Sequence, residues 1–124
     1  MDNIEFYLNA IKGIEFEDKQ TSDVEIFGIY RVPTSSGCIE FVKLYKGIQY
    51  KAHIHDFSNA RFIFLTGTGK VTLNEKQIDY QPGFTCEAPS GMMHGFIQNE
   101  ETIFLSIQSN PIQDRETGEI DIRY

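Results

Sequence analysis

The chain contains three histidines, His53, His55 and His94, and their spacing is the feature most able to do chemistry. His53 and His55 stand on either side of Ile54. Residues i and i+2 diverge on a helix but share a face on a strand, so this pair can offer two imidazoles to one metal ion if the segment is extended. His94 follows Pro89-Ser90-Gly91-Met92-Met93, a turn that opens onto a strand-like run, and from there its ring can join the other two. Three imidazoles suit Zn, Fe, Ni or Cu and leave further coordination positions open to water or substrate. The bland alternative is that these are packing or surface histidines, since any exposed strand face collects polar residues. What favours the metal is that every histidine in the chain falls into the pattern.

Extended elements must therefore do the positioning, and the sequence supplies them. Runs rich in β-branched and aromatic residues recur at Val24–Val32, Cys38–Tyr45, Gln49–His55, Arg61–Leu65, Lys70–Leu73, Gln77–Tyr80, Phe84–Glu87, Gly95–Gln98 and Thr102–Gln108. Turn signals separate them at Pro33–Gly37, Thr66–Gly69, Asn74–Lys76, Pro82-Gly83 and Pro89–Gly91, where Gly tolerates positive φ and Pro removes a ladder donor. Short strands at even spacing predict an all-β sandwich or barrel. Ten Phe and six Tyr with no Trp suit a core filled between two inner sheet faces. One short helix is expected within residues 1–13, where Ile4, Leu8 and Ile11 recur at helical spacing before Gly13. The tail, residues 110–124, opens on Asn110-Pro111 and ends with Ile120, Ile122 and Tyr124 in alternation, predicting a loop and a last strand that pairs within the protomer or across a dimer.

A chain of 124 residues fits one domain, residues 1–124, and leaves no room for a separate cofactor domain. The formal charge of −7 argues against nucleic acid and anionic membranes as partners. No apolar run approaches the roughly 20 residues of a membrane-spanning helix, and Met1–Tyr7 carry Asp2 and Glu5 without a basic cluster, so a cytoplasmic location is expected. Cys38 and Cys86 are then read as reduced thiols. The Gly67-Thr68-Gly69 stretch has no Lys-Ser/Thr tail and reads as a hairpin turn, not a phosphate loop. Met92-Met93 could lean toward a soft metal but in such a loop are better read as packing.

The region from Gly47 to Gln98 resembles the two-motif signature of the cupin family. Gly47, five residues, then His53-Ile54-His55 match the start of the first motif, with Gly67 at its end. Gly83, five residues, Pro89-Ser90-Gly91, two residues and His94 match the second, with Gln98 in place of its final Asn. The resemblance, with core motifs over residues 47–99, implies a double-stranded β-helix, or jelly-roll barrel, holding a divalent transition metal (Fe, Zn, Ni or Mn) through His53, His55 and His94. One departure bears on the chemistry: the family's glutamate position is occupied by Ala60, which has no lone pair. Neither Asn59 nor Asp56 has the spacing to replace it. Some cupins hold iron through three histidines alone, so the loss does not remove a site; it leaves a divalent ion with its full charge and favours an anionic or chelating substrate.

If the strand is regular, Gln49 and Lys51 share the face of His53 and His55; Phe62 and Phe64 share that of Ala60, and Phe96 and Gln98 that of His94. These seven residues are the candidate lining of a mainly apolar pocket, with barrel core as the plainer role for the phenylalanines. Tyr30, Arg31, Tyr45, Tyr50 and Glu87 are further acid, base or anion-holding candidates whose facing the sequence does not fix. The resemblance implies a metal-dependent enzyme acting on a small molecule, of dioxygenase, isomerase or lyase type. The alternatives are a non-catalytic cupin that binds or senses a sugar or other small ligand, and a metal-free isomerase using His and Tyr. A homodimer is expected, because such barrels leave a sheet face or edge that a terminal segment of a second copy can cover.

Overall fold

The β-branched and aromatic runs pair into two antiparallel sheets with the phenylalanines packed between them. In the computed structural model, which describes residues 3–20, 25–33, 37–110, 112 and 120–124, a helix α1 (Asn3–Ile11) precedes the strands. These are β1 (Glu17–Gln20), β2 (Ile26–Pro33), β3 (Cys38–Leu44), β4 (Ala60–Thr66), β5 (Gly69–Leu73), β6 (Lys76–Tyr80), β7 (Thr85–Ala88), β8 (His94–Gln98) and β9 (Thr102–Gln108). The larger sheet has the order β1-β2-β3-β9-β4-β7 and the smaller β6-β5-β8. This is a jelly-roll barrel, as the strand rhythm implies.

Register explains the core. Ile29, Val42, Phe104 and Phe64 lie side by side across β2, β3, β9 and β4, so strand alternation turns all four to the same face. Phe64 stacks on Tyr80 of β6 at 4.2 Å between ring centroids, and Phe104 on Phe96 of β8 at 4.9 Å. These ring pairs hold the two sheets together. On the opposite face of the larger sheet, Ile4, Tyr7, Leu8 and Ile11 of α1 pack against Phe41, Leu65, Ile103 and Leu105. The helix stops where Gly13 donates its N–H to Ala10 O.

Two turns depend on backbone freedom. Asn74, at φ 55°, makes the tight reversal between β5 and β6. Gly67 has φ 87°, and a Cβ there would run into Glu101 O and Thr102 Oγ1, so both conformation and space require glycine.

The structure corrects one sequence expectation and adds one element. Residues 49–55 do not form a strand: Gln49–Ala52 have no ladder, and only His53 and Ile54 make isolated bridges, to His94 and Arg123. The segment alternates like a strand, but what lies beside it is the start of β8 and the chain's last residues rather than a full-length neighbour. The second bridge joins Arg123 to Ile54 of the same protomer, one of the two pairings expected for the tail. Strand β1 was not expected; all four of its residues are exposed, so no apolar alternation announces it. Val24, and most of the Pro33–Gly37 turn and of the tail, lie outside the described residues.

Candidate metal centre

Backbone pairing brings the histidines together. His53 N donates to His94 O and His94 N to His53 O, both at 2.9 Å. Residues paired directly across an antiparallel bridge point their side chains to the same side, so these two rings meet although the bridge between them is an isolated one. Gly91 N donates to His55 O at 2.8 Å and ties the turn before β8 to the first histidine segment. His55, two residues beyond His53, falls on the same face. The ring centroids are 4.4 Å apart for His53 and His94, 4.8 Å for His53 and His55, and 4.9 Å for His55 and His94.

The second nitrogen of each ring fixes its tautomer. Nδ1 of His55 lies 2.5 Å from Asp121 O, Nδ1 of His53 3.3 Å from Lys51 O, and Nδ1 of His94 3.4 Å from Met92 O. A backbone carbonyl only accepts, so each Nδ1 carries a hydrogen, which in a neutral ring leaves Nε2 as the lone-pair atom. One ring nitrogen from each histidine lies within 4.8 Å of the other two. Burial pushes the His53 imidazole down to about 4, with the charge of His55 adding. Burial, followed by His53 and His55, takes His94 down to about 3. At neutral pH these two rings are therefore unprotonated, the state a metal requires. The donor set fits a divalent transition ion, with all three nitrogens coming from imidazole and no carboxylate among them.

The histidines open onto a cavity of about 330 Å³. Phe62 and Phe96 stand against His94, with ring centroids at 5.4 and 6.3 Å. Phe27, Ile29, Val42 and Leu44 supply the wall from β2 and β3, and Ile120, Ile122 and Tyr124 the wall from the chain's end. The polar wall is a connected group. Arg31 bridges Glu40 at 2.6 Å, and Gln108 Nε2 donates to Glu40 and, at 3.1 Å, to Ser106 Oγ.

Of the seven lining candidates, Lys51, Phe62 and Phe96 line this cavity. Gln49 is exposed and does not, because its segment is not the regular strand that would have turned it inward. Phe64 is fully buried against Tyr80, a core residue. The Gln98 amide donates to Tyr45 O and Ile48 O, where it pins the turn after β3. Ala60, on the same sheet face as Phe62, is buried between Ala88 and Gln108 and brings no donor atom. Asn59 and Asp56 are engaged elsewhere, Asn59 Oδ1 by Ser90 N and Asp56 by Arg123.

Among the acid–base candidates, Arg31 and Tyr50 face the cavity. Tyr50 accepts from Tyr45 N and donates to Ile26 O. Tyr45 donates to Asp18, which, ahead of burial, raises its phenol to about 12. Tyr30 lies on the outer face against Phe41, and Glu87 is exposed and paired with Arg61.

Sequence reasoning missed Asp121. Besides its carbonyl on His55, its carboxylate accepts the N–H groups of Asp56, Phe57 and Ser58 at 2.7 to 3.0 Å. Burial alone would raise this carboxyl, but the three N–H donors outweigh it and hold it below the usual value. No motif links a residue to a histidine segment so far away in sequence.

The two-sheet barrel with histidines lining its cavity defines a jelly-roll domain with an internal site. The cupin domain family matches residues 40–107. The chain belongs to the cupins. No curated protein matches it. Among solved structures, a protein of Acidithiobacillus ferrooxidans assigned as a sugar phosphate isomerase is similar at TM-score 0.72 and 18% identity, covering 93% of this chain and 88% of that one. KdgF from Halomonas sp. is similar at TM-score 0.67 and 19% identity, covering 81% and 88%. A cupin 2 conserved barrel domain protein from Rhodopseudomonas palustris matches at TM-score 0.66 and 14% identity, covering 78% and 72%. At these identities the likeness concerns the fold.

Proposed function

We propose that this cupin holds a divalent transition metal, Fe, Zn, Ni or Mn, on His53, His55 and His94 and acts with it on a small molecule in the adjoining cavity, as a dioxygenase, isomerase or lyase. One observation carries the reading: three imidazoles converge while each Nδ1 hydrogen is held by a backbone carbonyl. With one ring nitrogen of each histidine within 4.8 Å of the other two, a cation placed among them can take all three as ligands. When bound, the ion supplies Lewis acidity toward substrate oxygens or, if it is iron, reaction with dioxygen. The chain's own part is to orient the three rings through Lys51, Met92 and Asp121. Phe62 and Phe96 set an apolar wall beside His94.

The second reading is a non-catalytic cupin that binds or senses a sugar or other small ligand. It is favoured by the engagement of Tyr50 and Glu40, which leaves neither available as a ready proton carrier. Metal-loaded protein offered a panel of small acids and sugars, with oxygen uptake and product masses followed, separates the two. Turnover that vanishes in His94→Ala and under chelator supports the enzyme. Saturable binding without product supports the second reading. Turnover undiminished by chelator overturns metal dependence.

A homodimer is part of the proposal, with Tyr30, Val32 and Ile107 offering an apolar surface that is 42%, 40% and 38% exposed. A monomer mass by light scattering at micromolar concentration contradicts it. A cytoplasmic setting is part of the proposal too, with Cys38 and Cys86 as reduced thiols. Among the described residues no helix is long and apolar enough to cross a membrane.

A further inference from the structure

We infer that the cavity takes a compact anionic chelator with an apolar or aromatic body, an aryl or branched-alkyl carboxylate rather than a phosphorylated sugar. The inference rests on the metal reading above and names its substrate class. The first ground is the wall beside the histidines. Phe62 lies 5.4 Å from His94, 5.7 Å from Phe96 and 5.2 Å from Phe104, so a ligand head placed at the histidines has its body against three aromatic rings. Ile29, Val42 and Ile122 continue that wall. Sugar hydroxyls set against this wall lose water and gain no partner there, and the polar groups opposite, Arg31, Glu40, Ser106 and Gln108, are bonded to one another, whereas a ring or branched chain loses nothing.

The second ground is the state of the cations. Lys19, Arg31 and Lys51 line the cavity. Lys19 bridges Glu17 at 3.0 Å, and Arg31 directs both Nε and Nη2 to Glu40, so both cations already face a carboxylate, and the second charge of a phosphate dianion would have to be matched away from the metal, a demand that a monoanionic carboxylate does not make. The Lys51 ammonium lies over the Tyr124 ring, 4.9 Å from its centroid. A phosphate dianion is ordinarily held by an arginine fork or a helix N-terminus. Among the described residues lining this cavity, the arginine is committed to a carboxylate and none belongs to a helix.

The third ground is charge at the other end. Three neutral imidazoles leave a divalent ion its full charge, which a single anionic oxygen head satisfies. The volume of about 330 Å³ is at the small end for ligand pockets and suits a body of one ring.

The test loads the full chain with Co(II) and titrates it with salicylate and, separately, with ribose 5-phosphate, reading the visible Co(II) band. Salicylate is expected to shift the band and to bind at least about tenfold more tightly than the sugar phosphate. Ile122→Ser is expected to weaken salicylate by about tenfold at unchanged cobalt content. Ile120→Ser, at a position 60% exposed and so tolerant of change, does the same in smaller measure if the first variant misfolds. Equal or tighter binding of ribose 5-phosphate, or salicylate affinity unmoved in both variants, overturns the inference while leaving the metal reading intact. Protein that takes up no Co(II) overturns the metal reading, and the inference with it.

Discussion

The Nδ1 atom of His55 lies 2.5 Å from the main-chain oxygen of Asp121, 66 residues further along the chain, while the Asp121 side chain holds the three backbone N–H groups that follow His55. One residue of the final segment thus sets both the tautomer of a candidate ligand and the path of the chain leaving it. Deleting residues 120–124 is expected to weaken metal binding by about 10- to 100-fold, the range for losing a partner that orients a ligand. Asp121→Ala keeps the carbonyl and strands three amides, so its cost should fall on stability, about 1–3 kcal/mol. Metal titration and chemical denaturation of the two variants check this split.

Acidification should destabilise the metal-free protein in a defined window. His53 and His94 sit near 4 and 3 when folded, chiefly through burial, against 6.5 when unfolded. As pH falls below about 6.5 the unfolded chain takes up protons that the folded one refuses, and stability drops until the folded values are reached. The Asp121 carboxyl, held down on folding, adds its loss only below 3.8. The thermal midpoint should be level above pH about 7 and decline from about 6.5 to about 4, with much of the decline absent in a His53→Ala, His94→Ala double variant. Equal slopes in the two proteins contradict this.

Gln98 should matter to stability and not to metal. Its amide donates to the carbonyls of Tyr45 and Ile48. Gln98→Ala is expected to cost about 1–2 kcal/mol by denaturation while cobalt affinity stays unchanged.

Phe64 provides the opposite contrast to Phe62, though both face the same side of β4. Fully buried and stacked on Tyr80, it should cost about 3–5 kcal/mol as Phe64→Ala. Phe62→Leu, beside His94, should instead alter ligand affinity with a smaller stability change. Calorimetry of the two variants distinguishes the roles.

What the sequence disclosed follows from how local each signal is. The strands of the barrel were legible because apolar alternation and turn residues sit within a few positions of one another, and eight of the nine runs became strands. The ninth, 49–55, has the composition and alternation of a strand but no full-length neighbour to pair with, so the register that would turn Gln49 inward is absent. His53, His55 and His94 could be grouped because two lie on one short segment and the third follows a turn of fixed spacing. The partners of those rings could not. Lys51 and Met92 act through main-chain oxygens, which no side-chain pattern encodes, and Asp121 reaches His55 only through the fold. Strand β1, wholly exposed, left no hydrophobic trace.

The proposed metal on His53, His55 and His94 has a direct assay. Elemental analysis of untagged protein purified without chelator, beside the His53→Ala, His94→Ala double variant, tests it most directly. Close to one first-row transition ion per chain in the parent and none in the folded variant is the predicted result. Parent protein that carries no metal and takes up none of Fe, Zn, Ni or Mn when they are added contradicts it.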